Sequence, residues 1–341
     1  MINVGLTGFG LAGRKLHAPL IAAAGMRITA VVTSRAEEVA SVLPHARIVG
    51  SHAELVGRDD VDLVVIVSPN QWHASQAMDA LHAGKHVVVD KPLCIHAAES
   101  DPLIDLARER KLRLAVFHNR RWDSDFLTIA QLIADGRLGD IVAFNARWDR
   151  YRPDVPDRWR ERPGAGAGLL YDLGPHLVDQ ALCLFGRPDW VQADVFSQRR
   201  HAQVDDGFEV LMGKGRMRIS LGASSLAAND RFRYRVMGER ATFIKHGRDP
   251  QESRLRADVD PLSAGFGDEP PEDFGRLTSG NESRGETITS EPGRWLTFYE
   301  EIRRSIEFDA AVPMPATEAR SVLEVIEAAL QSCSESRRVL L

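Results

Sequence analysis

Two clusters of polar residues have the types and spacing needed to move a proton to or from a hydroxyl. Asp90-Lys91-Pro92 closes an apolar run, His86 to Asp90. Proline disfavours helical geometry in the residue before it, so Lys91 is pushed toward an extended conformation and can point off the end of that run. A partly desolvated lysine can donate a proton there or clamp a substrate oxygen electrostatically. A lysine before a proline is also a common solvated pair. The second cluster lies in Gly168-Leu169-Leu170-Tyr171-Asp172-Leu173-Gly174-Pro175-His176-Leu177-Val178-Asp179. In a single helix Asp172 and His176 stand four apart on one face, with Pro175 weakening the ladder. If a helix instead starts at Pro175, a favoured first-turn residue, the aspartate sits just before it. Either way the two are neighbours. Histidine titrates near neutrality, and a helix start favours the neutral form that a general base needs. A structural His–Asp pair is the alternative.

A third pattern binds rather than reacts. Gly8-Phe9-Gly10-Leu11-Ala12-Gly13 has the spacing G-x-G-x-x-G between an expected strand, Ile2 to Thr7, and an expected helix, Gly13 to Ala24. That context suits a dinucleotide: Gly8 for the tight turn, Gly10 for approach of a pyrophosphate, Gly13 for close helix packing. An acidic residue about 20 positions on would hold the ribose hydroxyls of NAD. Here the chain reads Val32-Thr33-Ser34-Arg35, with no carboxylate. Ser34 and Arg35 suit a 2′-phosphate, which points to NADP. Ser34 and Glu37 also have the spacing of a helix capping box. Ser68-Pro69-Asn70, with His73 beyond, ends the next strand, where ligands of such sheets sit; it is also a good turn and helix start.

The elements that must position these residues alternate. Strands are expected at Ile2 to Thr7, Ile28 to Val32, Leu63 to Ser68, His86 to Asp90 and Leu112 to Phe117, almost continuously apolar, as strands buried on both faces are. Helices are expected at Gly13 to Ala24, Ala36 to Leu43, Gln71 to Ala83 and Ala97 to Arg110. After His118 comes a helix, Asp125 to Asp135. Strands follow at Ile141 to Arg150, Val191 to Gln198, Gly207 to Met212, Arg216 to Leu221, Phe232 to Met237 and Ala241 to Lys245. Residues 247 to 293, rich in Gly, Pro and charge, read as a long irregular excursion. Helices near Arg294 to Phe308 and Thr317 to Ser334 close the chain. The fold class is therefore α/β: a doubly wound parallel Rossmann sheet over residues 1–120, then an α+β domain with an open, mainly antiparallel sheet over 121–341. An uncovered sheet face is a natural surface for a homodimer or homotetramer.

Length and composition agree with two ordinary domains. The chain has 341 residues, 44% hydrophobic and 27% charged, with a net charge of -5. A net negative balance argues against nucleic-acid binding, and no apolar run reaches the roughly 20 residues needed to span a bilayer. The start, MINVGLTGFG, lacks the pattern of a signal peptide. Cys94, Cys183 and Cys333 are few, odd in number and widely spaced, which fits a reducing cytoplasm. No metal site is expected, and the partner is expected to be a small molecule.

Taken together, the glycine loop, Ser68-Pro69-Asn70 with His73, Ala83 to Pro92 and Asp172-Leu173-Gly174-Pro175-His176 with Asp179 resemble the Gfo/Idh/MocA oxidoreductases. The resemblance covers essentially the whole chain. It implies that Lys91, Asp172 and His176 act on a substrate hydroxyl, although Asp90 stands where that family usually has Glu. Gly8, Phe9, Gly10, Leu11, Gly13, Ser34, Arg35, Ser68, Pro69, Asn70, His73, Asp90 and Lys91 become the cofactor-binding candidates. Within the family the chain is similar to the NADP-dependent scyllo-inositol dehydrogenase branch. That similarity rests on Thr33-Ser34-Arg35, His118 to Asp123, Tyr151-Arg152-Pro153 and Arg158-Trp159-Arg160. It implies a cyclic polyol or sugar, with Asn119, Arg120, Tyr151, Arg152 and Trp159 as substrate contacts, since hydroxyls take directed hydrogen bonds and a ring's C–H face packs on an aromatic. Aldose, ketose or dihydrodiol dehydrogenases, or a non-catalytic NADP-binding regulator, are the alternatives on the same frame.

Overall fold

A computed structural model describes residues 1–228, 232–280, 282 and 284–341. The chain divides into two compact units. One comprises Met1–Asn119, Gln251–Phe266 and Arg294–Arg320; the other comprises Arg120–Pro250, Gly267–Gly293 and Ser321–Leu341.

The first unit is a six-stranded, wholly parallel sheet made of β1 (Asn3–Thr7), β2 (Arg27–Val32), β3 (Arg47–Val49), β4 (Leu63–Ile66), β5 (His86–Asp90) and β6 (Leu114–Phe117). The order is β3-β2-β1-β4-β5-β6. The apolar runs behave as expected, with β4 and β6 buried throughout. Around the sheet run α1 (Ala18–Ala23), α2 (Ala36–Val42), α3 (His52–Val56), α4 (His73–His82) and α5 (Ser100–Glu109), with α8 (Gln251–Arg256) and α9 (Leu296–Phe308) returning from late in the chain. The strand order reverses between β1 and β4, so their C-terminal ends diverge into the crevice typical of a nucleotide site. Gly8 sits there with φ +104, and a β-carbon on it would lie 2.7 Å from the Val67 carbonyl oxygen. Only glycine fits this turn.

Two local expectations are corrected. The helix expected from Gly13 to Ala24 opens instead with a π-helical turn, Gly13–His17, before α1. β3 and α3 were not expected at all, being three and five residues long, too short to carry a period.

The second unit is a nine-stranded sheet of order β14-β13-β12-β11-β7-β10-β9-β8-β15. Its strands are β7 (Ile141–Arg147), β8 (Trp190–Phe196), β9 (Gly207–Lys214), β10 (Met217–Ser224), β11 (Tyr234–Gly238), β12 (Ala241–Lys245), β13 (Gly275–Ser279), β14 (Glu286–Ile288) and β15 (Val339–Leu340). β7 and β10 pair in parallel and the other neighbours are antiparallel. The unit also holds α6 (Ser124–Ala134) and α7 (Gly168–Phe185), while α10 (Ala316–Glu335) crosses the division between units. The stretch read as irregular, 247–293, in fact contains α8, β13 and β14. Pairing with β12 imposes strand geometry on β13 despite its polar sequence, an example of tertiary context overriding propensity.

Candidate functional site

In the first unit the glycine loop follows β1 directly. A β-carbon on Gly13 would come within 2.4 Å of the Gly8 carbonyl oxygen, whereas one on Gly10 would meet nothing within 4 Å. Gly13 is thus a packing glycine, and Gly10 leaves open space over the loop, the cradle that a pyrophosphate requires. The residues present fit a dinucleotide. The Phe9 ring is buried in the core while Leu11 is exposed, so Phe9 offers the loop its backbone only.

Ser34 is not the helix cap that its spacing with Glu37 suggests. The cap position of α2 is Arg35, with no side-chain cap bond; the Arg35 N–H donates to Thr33 Oγ1 at 3.0 Å instead. The Arg35 guanidinium is 55% exposed and lies 3.2 Å from Glu38 Oε1. Arg14, next after the last glycine, reaches Glu38 Oε2 at 2.7 Å.

Past β4, Ser68-Pro69-Asn70 turns into a 3-10 turn, Asn70–Trp72. Ser68 Oγ donates to Gln76 Oε1 at 2.7 Å. The buried His73 places one ring nitrogen 2.8 Å from the Ser68 carbonyl oxygen and the other 2.7 Å from that of Pro92. It ties the end of β4 to the Asp90-Lys91-Pro92 segment, where the Lys91–Pro92 peptide is cis.

Asp90 Oδ1 accepts the Lys91 N–H at 2.9 Å and lies 3.9 Å from His17 Nε2. Burial works against its charged form, but His17, then Lys91 and His73, outweigh that and hold the carboxyl down at about 2. Lys91 is buried, and Asn119 is buried in the 3-10 turn Asn119–Trp122.

In the second unit α7 is one unbroken helix through Pro175. Asp172 and His176 are therefore one turn apart, and His176 lies inside the helix rather than at its start, so a helix-start dipole does not act on it. The Asp172 carboxylate lies between two guanidiniums, 3.7 Å from Arg150 Nη1 and 3.5 Å from Arg160 Nε. His176 is buried, and the Trp148 ring stacks toward it at 6.2 Å and 30°. Trp148 in turn carries the guanidiniums of Arg120 and Arg233, each 4.4 Å from its ring centroid. Arg121 grips Asp179 through both nitrogens of its fork, at 2.6 and 2.9 Å, so Asp179 fastens the 3-10 turn to α7.

The candidate substrate residues fare unevenly. Arg120 is buried in the Trp148 cluster, and Trp159 lies under the Arg160 guanidinium at 4.5 Å. Tyr151 is 62% exposed and Arg152 is exposed, both held at the backbone against the 225–226 segment. Sequence reasoning passed over Trp148 and Arg150 and named Arg160 only within Arg158-Trp159-Arg160; all three group with Asp172 and His176. The signal was available: Phe144, Ala146, Trp148 and Arg150 alternate at period 2, and the ladder continues past β7 through Trp148 N–H to Gly222 O and Arg150 N–H to Ser224 O. Among the described residues, no cluster of three His, Cys, Asp or Glu side chains is assembled for a metal ion, and no helix is long and apolar enough to cross a membrane.

Residues 2–118 match the model of the oxidoreductase family's NAD-binding Rossmann fold, and residues 130–341 match that of its C-terminal alpha/beta domain. The chain belongs to the Gfo/Idh/MocA oxidoreductase family. Like other Gfo/Idh/MocA proteins it is an NAD(P)-dependent dehydrogenase or reductase, acting on substrates of the sugar and polyol type. It is 40% identical to the scyllo-inositol 2-dehydrogenase (NADP(+)) of Bacillus subtilis, over all of this chain and 96% of that protein. It is also 40% identical to the uncharacterized oxidoreductase YdgJ of Escherichia coli, over 97% of this chain and 96% of that one. The solved YvaA structure from Bacillus subtilis superimposes with a TM-score of 0.97 at 40% identity, covering 100% of this chain and 98% of that one.

Proposed function

We propose that this Gfo/Idh/MocA enzyme uses NADP to interconvert a secondary alcohol and a ketone on a cyclic polyol, with an inositol-like ring as the substrate class. The observation that carries the NADP reading is Arg35 beside Thr33 and Ser34 at the end of β2, where the strand offers a cation and hydroxyls in place of a carboxylate. The polyol reading is supported by the grouping of Trp148, Arg150, Arg160, Asp172 and His176, an aromatic face among directional polar groups. It also draws on the 40% identical inositol dehydrogenase.

When bound, the nicotinamide supplies the hydride acceptor or donor. The chain's own residues handle orientation and the proton. Gly8, Gly10 and Gly13 shape the loop for the pyrophosphate, and Ser34 and Arg35 take the 2′-phosphate. Leu11, the Phe9 backbone, Ser68, Pro69 and Asn70 line the same crevice, while His73 and Asp90 hold the Lys91 segment. His176 takes the hydroxyl proton at a ring nitrogen during oxidation and returns it during reduction. Lys91 stabilises the developing alkoxide. Asp172, steadied by Arg150 and Arg160, orients the histidine or a neighbouring hydroxyl. Asn119, Arg120, Tyr151, Arg152 and Trp159 contribute substrate contacts. The enzyme acts in the cytoplasm as a homodimer or homotetramer built through the open sheet of the second unit.

Initial rates followed by nicotinamide absorbance, with NADP and NAD, across inositol isomers and common aldoses, test this reading. Turnover of an inositol with NADP is expected. A rate that favours NAD would overturn the Arg35 argument, and activity confined to aldoses would overturn the polyol assignment.

A further inference from the structure

The end of β2 carries one more charge than its own strand supplies. Arg14, from the π-helical turn that follows the glycine loop, and Arg35, from the start of α2, converge on a single carboxylate in the first turn of that helix. Each takes its own oxygen, Arg14 Nη1 at 2.7 Å from Glu38 Oε2 and Arg35 Nη1 at 3.2 Å from Glu38 Oε1. All three side chains are between one third and just over one half exposed, so the cluster is open to a solute rather than sealed as a core ion pair. An exposed carboxylate bridging two guanidiniums is weakly held. A phosphate monoester carries nearly two negative charges and three acceptor oxygens and makes stronger, forked contacts to arginine.

We propose that Glu38 is a built-in competitor for the 2′-phosphate of NADP. It holds Arg14 and Arg35 together in the free protein and gives them up when the phosphate enters, and so it sets how strongly NADP is preferred over NAD. This rests on the NADP reading above and extends it in two respects: Arg14 becomes a second phosphate-binding arginine, and Glu38 becomes an opposing charge. The direction follows from electrostatics. An incoming phosphate must displace the carboxylate and then lies beside it, a like-charge neighbour that penalises binding. The uncharged 2′-hydroxyl of NAD neither needs the guanidiniums nor meets that repulsion. Glu38 therefore moderates an affinity that two unopposed arginines would make stronger and less readily reversed.

The test is fluorescence titration of NADPH and NADH against the full chain and against Glu38→Gln, Arg14→Gln and Arg35→Gln, with thermal midpoints confirming that each variant folds. Glu38→Gln is expected to tighten NADPH about three- to tenfold and to leave NADH within about twofold. Arg14→Gln is expected to weaken NADPH about tenfold and to spare NADH. If Glu38→Gln weakens NADPH or leaves it unchanged, the carboxylate is a scaffold and the competitor proposal fails. If the wild-type protein shows no preference for NADPH and Arg35→Gln does not alter its binding, the NADP reading itself fails. The two failures are therefore separate.

Discussion

Nδ1 of His17 lies 2.5 Å from the hydroxyl of Tyr299, a pair separated by 282 residues and wholly buried in the first unit. Burial, reinforced by the charge of Asp90, pushes the Tyr299 hydroxyl well above its ordinary range, so it remains a neutral O–H. Phe117 packs on both rings, with centroids 4.3 Å from His17 and 5.7 Å from Tyr299. Tyrosine and phenylalanine thus fix one edge of the imidazole while its other nitrogen faces Asp90, the residue that accepts the Lys91 N–H. The position of Lys91 accordingly depends on residues from the first and the last thirds of the chain.

His17→Gln should lower stability by roughly 1–2 kcal/mol at neutral pH, because Asp90 loses the partner that keeps its carboxyl charged. The pH window follows from the sign of the shift. Asp90 falls from the ordinary 3.8 to about 2 on folding, so its stabilisation is fully present above about pH 4 and disappears as pH falls through about 2. Urea denaturation of both proteins should show a gap that closes as pH falls from about 4 through about 2. A gap that ignores pH would mean that His17 acts by packing alone.

Substitution of the proposed proton-handling groups should separate chemistry from cofactor binding. Lys91→Met, Asp172→Asn and His176→Gln are each expected to reduce kcat by about 10²–10⁴, with NADPH affinity changed by no more than a few fold in Asp172→Asn and His176→Gln. Steady-state rates and fluorescence titration check the two halves. A variant with full kcat would remove that residue from the mechanism.

The frame of the site was legible where chemistry and periodicity coincide. The glycine loop follows β1 and Lys91 follows β5, because a buried parallel strand must be apolar and its end must turn. Asp172 and His176 were readable as neighbours, but the choice between one continuous helix and a helix starting at Pro175 was not, since Pro175 argues locally against the helix that packing on the sheet sustains. His17 and Tyr299 could not be paired from sequence, because nothing in α9 signals a partner 282 residues away. Glu38 was masked for a different reason: Ser34 and Glu37 satisfied a capping pattern that α2 does not use.

A buried ion cluster in the second unit should prove costly to break and cheaper to remove whole. Lys245 Nζ lies 2.8 Å from Glu269 Oε2, with neither side chain exposed, and Ser124 and Ser290 each donate to Glu269 at 2.6 Å. Nearby, burial pushes Asp125 up to about 6, against the pull of Arg233 and Lys245. Lys245→Met strands the Glu269 charge and should lose roughly 3–5 kcal/mol, while also releasing Asp125 to rise further. Adding Glu269→Gln should recover a large part of that loss, since the amide keeps an acceptor for a serine without the charge. Denaturant midpoints of the single and double variants decide this, and purely additive losses would contradict it.

The start of α7 rests on one contact that two substitutions can dissect. Gly168 has φ +89, and a β-carbon there would stand 1.9 Å from Asp205 Oδ1. That carboxylate cannot simply move aside, because its other oxygen accepts the Leu170 N–H at 2.7 Å, while the Asp205 carbonyl accepts that of Leu169 at 2.9 Å. Gly168→Ala therefore combines a left-handed backbone penalty with a clash and should lose roughly 2–4 kcal/mol. Asp205→Ala removes a helix-terminal acceptor and should lose about 1–2 kcal/mol. The double variant should be less destabilised than the sum, because the missing carboxylate leaves room for the new methyl and only the backbone term persists. Since α7 carries Asp172 and His176, Gly168→Ala should also lower kcat by about 10- to 100-fold through misplacement of those groups, with NADPH affinity unaffected. Additive stabilities, or a kcat equal to wild type, would show that the helix start is not held by this contact.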